Sequence, residues 1–175
     1  MIRENIKNSI VMITGGAGFI GSHLVDYLVG HGCTVHALVR ETSDRRWLNK
    51  SNKVKVHTVD LLQSSPINFL QEADYLFHCA GLTKAKTRND YFSGNVHSCE
   101  ILYERCVAIG ANLKTIIHLS SLAAAGPSVQ GEPSEEKDPS NPVTYYGESK
   151  LAGEKIALKY ASSLPIVIIR PPVVY

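Results

Sequence analysis

Short apolar runs alternate with helix-like patterns along the chain. Helical spacing of apolar residues follows the first run and recurs over Tyr91–Ile109 and Thr144–Ser163. Strands that alternate with helices build a parallel sheet that is covered on both faces. The pattern predicts an α/β fold, a three-layer doubly wound parallel sheet with strand order 3-2-1-4-5-6. The predicted strands are Ser9–Thr14, Thr34–Val39, Val54–Val59, Tyr75–Cys79, Thr115–Leu119 and Ile166–Ile169.

Three glycines stand between the first predicted strand and the first predicted helix. Gly15, Gly18 and Gly21 form a G-x-x-G-x-x-G series, in which the first glycine permits a tight turn and the third lets the helix pack close to the strand. Backbone N–H groups and the positive end of the helix can then bind a pyrophosphate. An ordinary glycine-rich turn is the alternative, but the strand before and the helix after favour the dinucleotide site of a Rossmann domain.

The residue after the second predicted strand bears on the choice of dinucleotide. A site selective for NAD usually has a carboxylate there, which holds the ribose hydroxyls. This chain has Arg40, whose guanidinium suits a 2′-phosphate, so we expect NADP in preference to NAD. The alternative is that Arg40 stacks on the adenine or faces solvent. Asp60 and Leu61, which end the third strand, are expected beside the adenine, although an ordinary strand-end aspartate is the other interpretation.

A tyrosine and a lysine in the last predicted helix form a candidate proton-transfer group. Tyr146 and Lys150 are one helical turn apart, so their side chains share a face. A tyrosine titrates near ~10, and a neighbouring ammonium favours the phenolate. Lys150 can also reach a nicotinamide ribose, and Ser121, which closes the fifth strand, can hold a substrate oxygen at the carboxyl edge of the sheet. An incidental Tyr-x-x-x-Lys on an amphipathic helix is the alternative, which the glycine series disfavours.

Five motifs point to one family when they are taken together. They are Thr14-Gly-Gly-Ala-Gly-Phe-Ile-Gly21, His78-Cys-Ala-Gly81, Leu119-Ser-Ser121, Tyr146-Gly-Glu-Ser-Lys150 and Arg170-Pro-Pro-Val-Val-Tyr175. With them the chain resembles the extended short-chain dehydrogenase/reductases, in the NAD(P)-dependent epimerase/dehydratase group. That group includes nucleotide-sugar epimerases and dihydroflavonol-reductase-like enzymes. The resemblance covers nearly the whole chain.

The resemblance assigns roles to particular residues. It implies Ser121, Tyr146 and Lys150 as the catalytic set, with Asn95 of the long helix supporting the active site. Ser121 is preferred because its spacing to Tyr146 matches the epimerase pattern, and Ser120 is the alternative. Together with the residues discussed above, the predicted cofactor-binding set is Gly15, Gly18, Phe19, Ile20, Gly21, Arg40, Asp60, Leu61, Ala80, Gly81, Tyr146 and Lys150.

The same resemblance implies an activity and a domain organisation. We expect an enzyme of the epimerase/dehydratase type that acts on a hydroxyl or ketone carbon, of a nucleotide sugar in the first instance. An NADPH-dependent ketone reductase of the dihydroflavonol-reductase or steroid-dehydrogenase type is one alternative, and cofactor binding without turnover is another. Family members form homodimers through two paired helices and continue into a smaller carboxyl-terminal domain that closes over the substrate. Residues 1–175 are therefore expected to be the dinucleotide domain without that substrate domain.

Composition restricts the partners and the compartment. The net charge of +2 is too near neutral to favour nucleic acid or an anionic membrane, and no run reaches the roughly 18 apolar residues of a membrane helix. The cysteines Cys33, Cys79, Cys99 and Cys106 show no CxxC spacing, which is typical of reduced thiols in a cytoplasmic protein. The 7 histidines have no metal-like spacing, so no metal site is expected.

Overall fold

Six parallel strands form the centre of the computed structural model, which describes residues 6–63, 67–128 and 132–174. Every pairing is parallel and the order is β3-β2-β1-β4-β5-β6, which confirms the order predicted from the sequence. The predicted bounds agree with the observed ones to within one residue at each end. The observed strands are β1 (Ile10–Thr14), β2 (Thr34–Val39), β3 (Val54–Thr58), β4 (Tyr75–His78), β5 (Thr115–Leu119) and β6 (Ile166–Ile169).

Helices cover both faces of the sheet, which gives the three layers expected. The α-helices of the described residues are α1 (Phe19–Gly30), α2 (Arg88–Phe92), α3 (Ser98–Ala108) and α4 (Tyr145–Tyr160), with 3₁₀ turns at Asn68–Glu72 and Leu122–Ala124. Val25 and Leu28 of α1 belong to the core of one face, whereas α3 and α4 pack on the other face around Met12. The connection from β2 to β3 contains turns and no helix, so the strict alternation of strand and helix is broken there.

The long helix predicted over Tyr91–Ile109 is divided by a wider turn. The helical segment starts earlier, at Arg88, and Ser93–His97 forms a π-helical turn between α2 and α3. The turn directs Asn95 and Val96 into the interior. A π-helical turn lengthens the helix locally by one residue, and apolar spacing of three or four residues persists across it. The sequence pattern therefore did not reveal the interruption.

Four histidines lie on the same face of the sheet, the face that carries Met12. His36 and His57 stand on the adjacent strands β2 and β3, with ring centroids 5.0 Å apart. His78 and His118 are register partners on β4 and β5. Burial lowers the pKa of each of the four imidazoles, that of His118 to about 3. The folded domain therefore holds these side chains in their neutral form near neutral pH.

All four cysteines are free thiols, and three of them are buried, Cys79 being only half-buried. Among the residues that the structure describes, no helix has both the length and the apolar character needed to cross a membrane.

We expect the domain to lose stability on mild acidification. Unfolding returns each imidazole to its ordinary pKa near 6.5, so the unfolded chain binds more protons than the folded chain, and stability falls as the pH decreases through that value. His36→Phe should therefore reduce, by about 1 kcal/mol, the difference in unfolding free energy between about pH 7 and about pH 5.5. Urea unfolding at both pH values measures this difference. The same change at the exposed His23 of α1 is the control, and an unaltered pH dependence in H36F would contradict the expectation.

Candidate active site

The glycine turn after β1 brings three backbone segments into contact. Gly15 has a φ of +69°, and a Cβ on it would lie 2.8 Å from the backbone nitrogen of Ala80. A Cβ on Gly21 would lie 2.2 Å from the carbonyl oxygen of Gly15. Side chains are excluded at both positions, so α1 begins directly against the turn. A turn closed this tightly leaves the start of α1 open to an anionic group, as a pyrophosphate site requires.

A cleft of about 510 Å³ opens beside this turn at the carboxyl ends of β1, β2 and β4. Phe19 and Gly21 do not line it, because Phe19 is exposed at the start of α1 and Gly21 packs against the turn. Ile20, Tyr146 and Lys150 are also outside the lining. The residues predicted to bind the cofactor that do line the cleft are Gly15, Gly18, Arg40, Asp60, Leu61, Ala80 and Gly81.

Some lining residues had no signal in the sequence. Ser93, Gly94 and Ser98 reach the cleft from the π-helical turn and the start of α3. A uniform helix read from apolar spacing gives no reason to place this segment beside the glycine turn.

Three arginines follow β2, and they differ in what they contact. The guanidinium of Arg45 donates a hydrogen bond of 2.9 Å to the hydroxyl of Thr58, and Arg46 forms an exposed ion pair with Asp44 at 2.5 Å. Arg40 is exposed and lines the cleft. Its backbone N–H donates to the Ser43 hydroxyl at 3.0 Å, which tightens the loop that closes this end of the cleft. Arg40 is therefore the arginine of the three that lines the cleft, at the end where the ribose is expected.

Lys150 of α4 carries a buried ammonium group. Its side chain is 6% exposed, and its Nζ donates a hydrogen bond of 2.6 Å to the carbonyl oxygen of Leu119 at the end of β5. Burial lowers the pKa of Lys150, while the carboxylate of Glu154 opposes that shift. A Cβ on Gly81 would lie 3.8 Å from this Nζ, so the ammonium stands next to the loop that lines the cleft.

Tyr146 lies one helical turn before Lys150, at the start of α4. Thr144 caps the helix by accepting a hydrogen bond of 3.0 Å from the backbone nitrogen of Gly147. Tyr146 is half-buried, with its ring centroid 6.1 Å from that of Tyr91 on α2, whereas Tyr145 is 57% exposed. The fold therefore directs Tyr146, and not its neighbour, towards the interior face of α4.

The two serines after β5 have different surroundings. Ser120 is buried, and its hydroxyl donates a hydrogen bond of 2.5 Å to a carboxylate oxygen of Glu154. Ser121 is half-buried, and its hydroxyl accepts a hydrogen bond of 3.1 Å from the backbone nitrogen of Ala123. The Ser120 hydroxyl is therefore committed to the interior, while Ser121 keeps a hydroxyl proton that can be donated to another group.

A close backbone contact joins the turn after Ser121 to the residue after Tyr146. A Cβ on Gly147 would lie 2.3 Å from the carbonyl oxygen of Ala123, in the 3₁₀ turn that follows Ser121. Only glycine fits there, so the first turn of α4 packs directly on the segment that carries the serine. The glycine of the Tyr-Gly-Glu-Ser-Lys motif thus brings the segments that carry Ser121 and Tyr146 into contact.

Asn95 joins the π-helical turn to two other parts of the site. It is 1% exposed, and its Oδ1 accepts a hydrogen bond of 2.6 Å from the backbone nitrogen of Leu82. Its Nδ2 donates to the carbonyl oxygen of Leu82 at 3.0 Å and to the hydroxyl of Ser149 at 2.9 Å. The amide is therefore fully used inside the protein, which gives Asn95 a positioning role.

Sequence reasoning missed Ser149 and Glu154, although the second left a signal. Glu154 lies four residues after Lys150, as Lys150 lies four after Tyr146, so all three share a face of α4. Its carboxylate accepts two hydrogen bonds from the guanidinium of Arg170, at 2.8 and 2.6 Å. A buried carboxylate needs such a partner, and the arginine of the Arg-Pro-Pro motif supplies it.

Comparison with known proteins agrees with this geometry. The family model for the NAD dependent epimerase/dehydratase family matches residues 11–175. The chain is 32% identical over 167 residues to a ceramide reductase of Caulobacter vibrioides, a match that covers 95% of this chain and 46% of the relative. The chain spans about half the length of the curated relatives it matches.

Two solved structures show the same architecture. A UDP-glucuronic acid 4-epimerase from Bacillus cereus in complex with NAD superposes with a TM-score of 0.82 at 28% identity, covering 95% of this chain and 57% of that one. A UDP-N-acetylglucosamine 4-epimerase from Methanobrevibacter ruminantium M1, in complex with UDP-N-acetylmuramic acid, gives a TM-score of 0.83 at 27% identity, covering 94% and 55%.

The tight packing at Gly21 can be tested by two glycine-to-alanine substitutions in α1. Gly21→Ala should destabilise the domain by roughly 2 kcal/mol or more, because the new methyl group overlaps the carbonyl of Gly15. Gly30→Ala at the other end of α1 is the control, since a Cβ there meets nothing within 4 Å and alanine is the better helix former. Thermal or urea unfolding measures both variants, and equal stability of the two would contradict the packing argument.

Proposed function

The chain belongs to the NAD-dependent epimerase/dehydratase family, and on this premise we propose that it is the dinucleotide-binding part of an enzyme that oxidises or reduces a hydroxyl or ketone carbon. One observation carries the proposal. The glycine cradle lies at the carboxyl end of β1, the buried ammonium of Lys150 contacts the carboxyl end of β5, and the half-buried Tyr146 lies one helical turn from Lys150. This arrangement suits a dinucleotide held beside a proton-transfer group.

The residues of the site fit a nicotinamide dinucleotide. A cradle that even one Cβ would fill matches the close approach of backbone to a pyrophosphate, and Asp60 and Leu61 border the end of the cleft where the adenine is expected. Gly15, Gly18 and Ala80 would hold the phosphates and the nicotinamide side. When bound, the nicotinamide supplies hydride transfer to or from the substrate carbon.

The protein's own part is proton transfer and orientation. The Tyr146 side chain, as the phenolate, takes the proton of the substrate hydroxyl, and as the phenol it gives that proton back to the substrate oxygen in the reverse direction. The Lys150 ammonium, held by the Leu119 carbonyl, stabilises negative charge on the phenolic oxygen of Tyr146. Ser121 donates a hydrogen bond to the substrate oxygen, and Asn95 keeps the loop at Leu82 in register with α4.

We propose a nucleotide sugar as the substrate. Support comes from the two solved structures, whose proteins are 4-epimerases of UDP-linked sugars. A lipid-like or flavonoid-like ketone is the second candidate, favoured by the match to a ceramide reductase and by Arg40 if NADPH is used. In an assay with both substrate classes, net consumption of the dinucleotide indicates a reductase. Isomerisation without consumption indicates an epimerase, and cofactor binding without turnover supports the third interpretation.

A homodimer stays a prediction. Val107 on α3 and Leu158 on α4 are 45% and 63% exposed, so both helices present apolar side chains at the surface. A four-helix contact between two copies would cover them.

Tyr146→Phe should reduce turnover at least about a hundredfold in an enzyme that contains this chain, while the affinity for the dinucleotide stays within about twofold. The change removes the oxygen that moves the proton and leaves the glycine cradle intact. Tyr145→Phe is the matched control, because it alters the neighbouring, exposed tyrosine and should leave both quantities unchanged. Full activity of the Tyr146 variant would exclude this residue from the mechanism.

Arg40 should set a preference for NADP(H) over NAD(H), although the family is named for NAD and the Bacillus cereus structure contains NAD. A charge-assisted contact with a 2′-phosphate contributes about 1.5–3 kcal/mol, or roughly 10- to 150-fold in affinity. Arg40→Ala should abolish most of this preference and change NAD affinity little. Arg46→Ala, which removes an arginine paired with Asp44, is the control. Fluorescence titration with both dinucleotides measures this preference. Tighter binding of NAD than of NADP by the unaltered chain would contradict the assignment of Arg40 to a 2′-phosphate.

A further inference from the structure

A row of buried polar side chains lies beneath the cleft and is not used by the mechanism above. Thr14, His78 and Cys99 are 0%, 1% and 1% exposed. They come from β1, β4 and α3, and therefore connect the sheet to the helical layer. A buried polar group without a hydrogen-bond partner costs free energy, so each donor in this row is expected to face an acceptor.

The donor and acceptor of each hydrogen bond follow from the backbone carbonyl of Asn95, which can only accept. The thiol of Cys99 donates to the carbonyl oxygen of Asn95 at 3.0 Å, which uses its single proton. The sulfur, 3.0 Å from Nε2 of His78, must then act as the acceptor, so that Nε2 carries the proton. Burial keeps the pKa of His78 well below its ordinary value, and the nearby Lys150 ammonium acts in the same direction. His78 is therefore neutral, and its Nδ1 accepts a hydrogen bond.

Beyond both ends of this row, the hydrogen bonds keep the same direction from donor to acceptor. Nδ1 of His78 accepts from the hydroxyl of Thr14 at 2.7 Å, and that hydroxyl oxygen accepts from the backbone nitrogen of Ala80 at 3.2 Å. On the other side, Nδ2 of Asn95 donates to the Ser149 hydroxyl at 2.9 Å, and Ser149 donates to the carbonyl oxygen of Tyr146 at 2.7 Å. Two hydrogen-bonded runs, one ending on the backbone carbonyl of Asn95 and the other starting from its side-chain amide, thus join the loop at Ala80 to the first turn of α4 through this one residue.

We propose that His78, held as the Nε2–H tautomer, and Cys99 are positioning residues that fix the separation between the cofactor loop at Ala80 and the helix that carries Tyr146. This role rests on the proposed function, because the separation matters only if a dinucleotide occupies the loop while Tyr146 acts on a substrate. Neither side chain touches the cleft contents. Both act through the backbone groups at the two ends of the row.

The surroundings favour a hydrogen-bonded row over a metal centre. With His118, the same two residues place three ligand atoms within 4.8 Å of one another, and Nε2 of His118 has no hydrogen-bond partner among the described residues. Burial, however, raises the pKa of the Cys99 thiol to about 12, and the Lys150 ammonium adds positive charge beside it. A metal ion would have to displace the thiol proton and face that ammonium.

The tautomer of His78 is directly measurable in this chain. Long-range ¹H–¹⁵N correlation spectra of the histidine-labelled protein near neutral pH should show His78 with its proton on Nε2. Cys99→Ser keeps a group that both donates and accepts, and should retain this tautomer. Cys99→Ala removes the acceptor and should give a mixture or the Nδ1–H form, with a loss of volume comparable to that of the serine variant. The Nδ1–H tautomer in the unaltered chain would overturn the proposal.

Cofactor affinity supplies the second readout. Titration with the reduced dinucleotide should show binding about three- to tenfold weaker in the Cys99→Ala variant, and binding within about twofold of the unaltered chain in the Cys99→Ser variant. Equal weakening in both variants would indicate a packing role only and would overturn the proposal, as would no weakening in either. If the unaltered chain bound no dinucleotide, the proposed function would fail, whereas the tautomer measurement would still decide whether the row exists.

Discussion

One buried amide holds the site together. The side chain of Asn95 satisfies the backbone nitrogen and oxygen of Leu82 and also reaches Ser149, so three chain segments meet at a single group. Without the amide, the half-buried backbone groups of Leu82 would lose this partner, and the buried Ser149 hydroxyl would keep only its hydrogen bond to the carbonyl oxygen of Tyr146. The π-helical turn that directs Asn95 inward is therefore stabilised by the contacts it makes possible. The loop after β4 has no other regular structure to define its path.

Hydrogen bonds from three neighbouring parts of the structure hold α4 in place. Ser149 contacts Asn95, Lys150 contacts the end of β5, and Glu154 contacts Arg170 beyond β6. Glu154 also accepts from Ser120, and Arg170 donates to Ser140 at 3.2 Å. The pair raises the pKa of Arg170, as expected for a guanidinium beside a buried carboxylate. The ends of two strands and the loop after Ser121 are thereby fixed relative to Tyr146.

The sequence predicted the fold well because strands and glycines carry local signals. Apolar runs gave the strands to within a residue at each end, and the glycine series located the cradle. The predicted proton-transfer residues and cofactor loops also fall along one edge of the sheet. The features that the sequence did not predict depend on contacts between segments that are distant along the chain. The π-helical turn conserves apolar spacing, so Ser93 and Gly94 gave no sign that they line the cleft.

The buried row beneath the cleft was also not predicted, because its residues are distant from one another along the chain. His78 and Cys99 have no motif spacing, and they meet only because β4 and α3 pack together. The hydrogen bond from the Ser120 hydroxyl to the Glu154 carboxylate was not predicted either, since it depends on where α4 crosses the end of β5.

The central position of β1 has a consequence for how the domain assembles. Its Thr14 pairs with Leu38 on one side and with His78, 64 residues away, on the other. Closing a loop of that length costs conformational entropy that rises with the logarithm of its length, and the contacts that offset it form only once β4 is in place. A growing chain that has reached β3 thus has three paired strands, and the side of β1 that pairs with β4 is still open. The glycine turn, which needs Ala80 against Gly15, therefore forms late in folding and is not a preformed local unit.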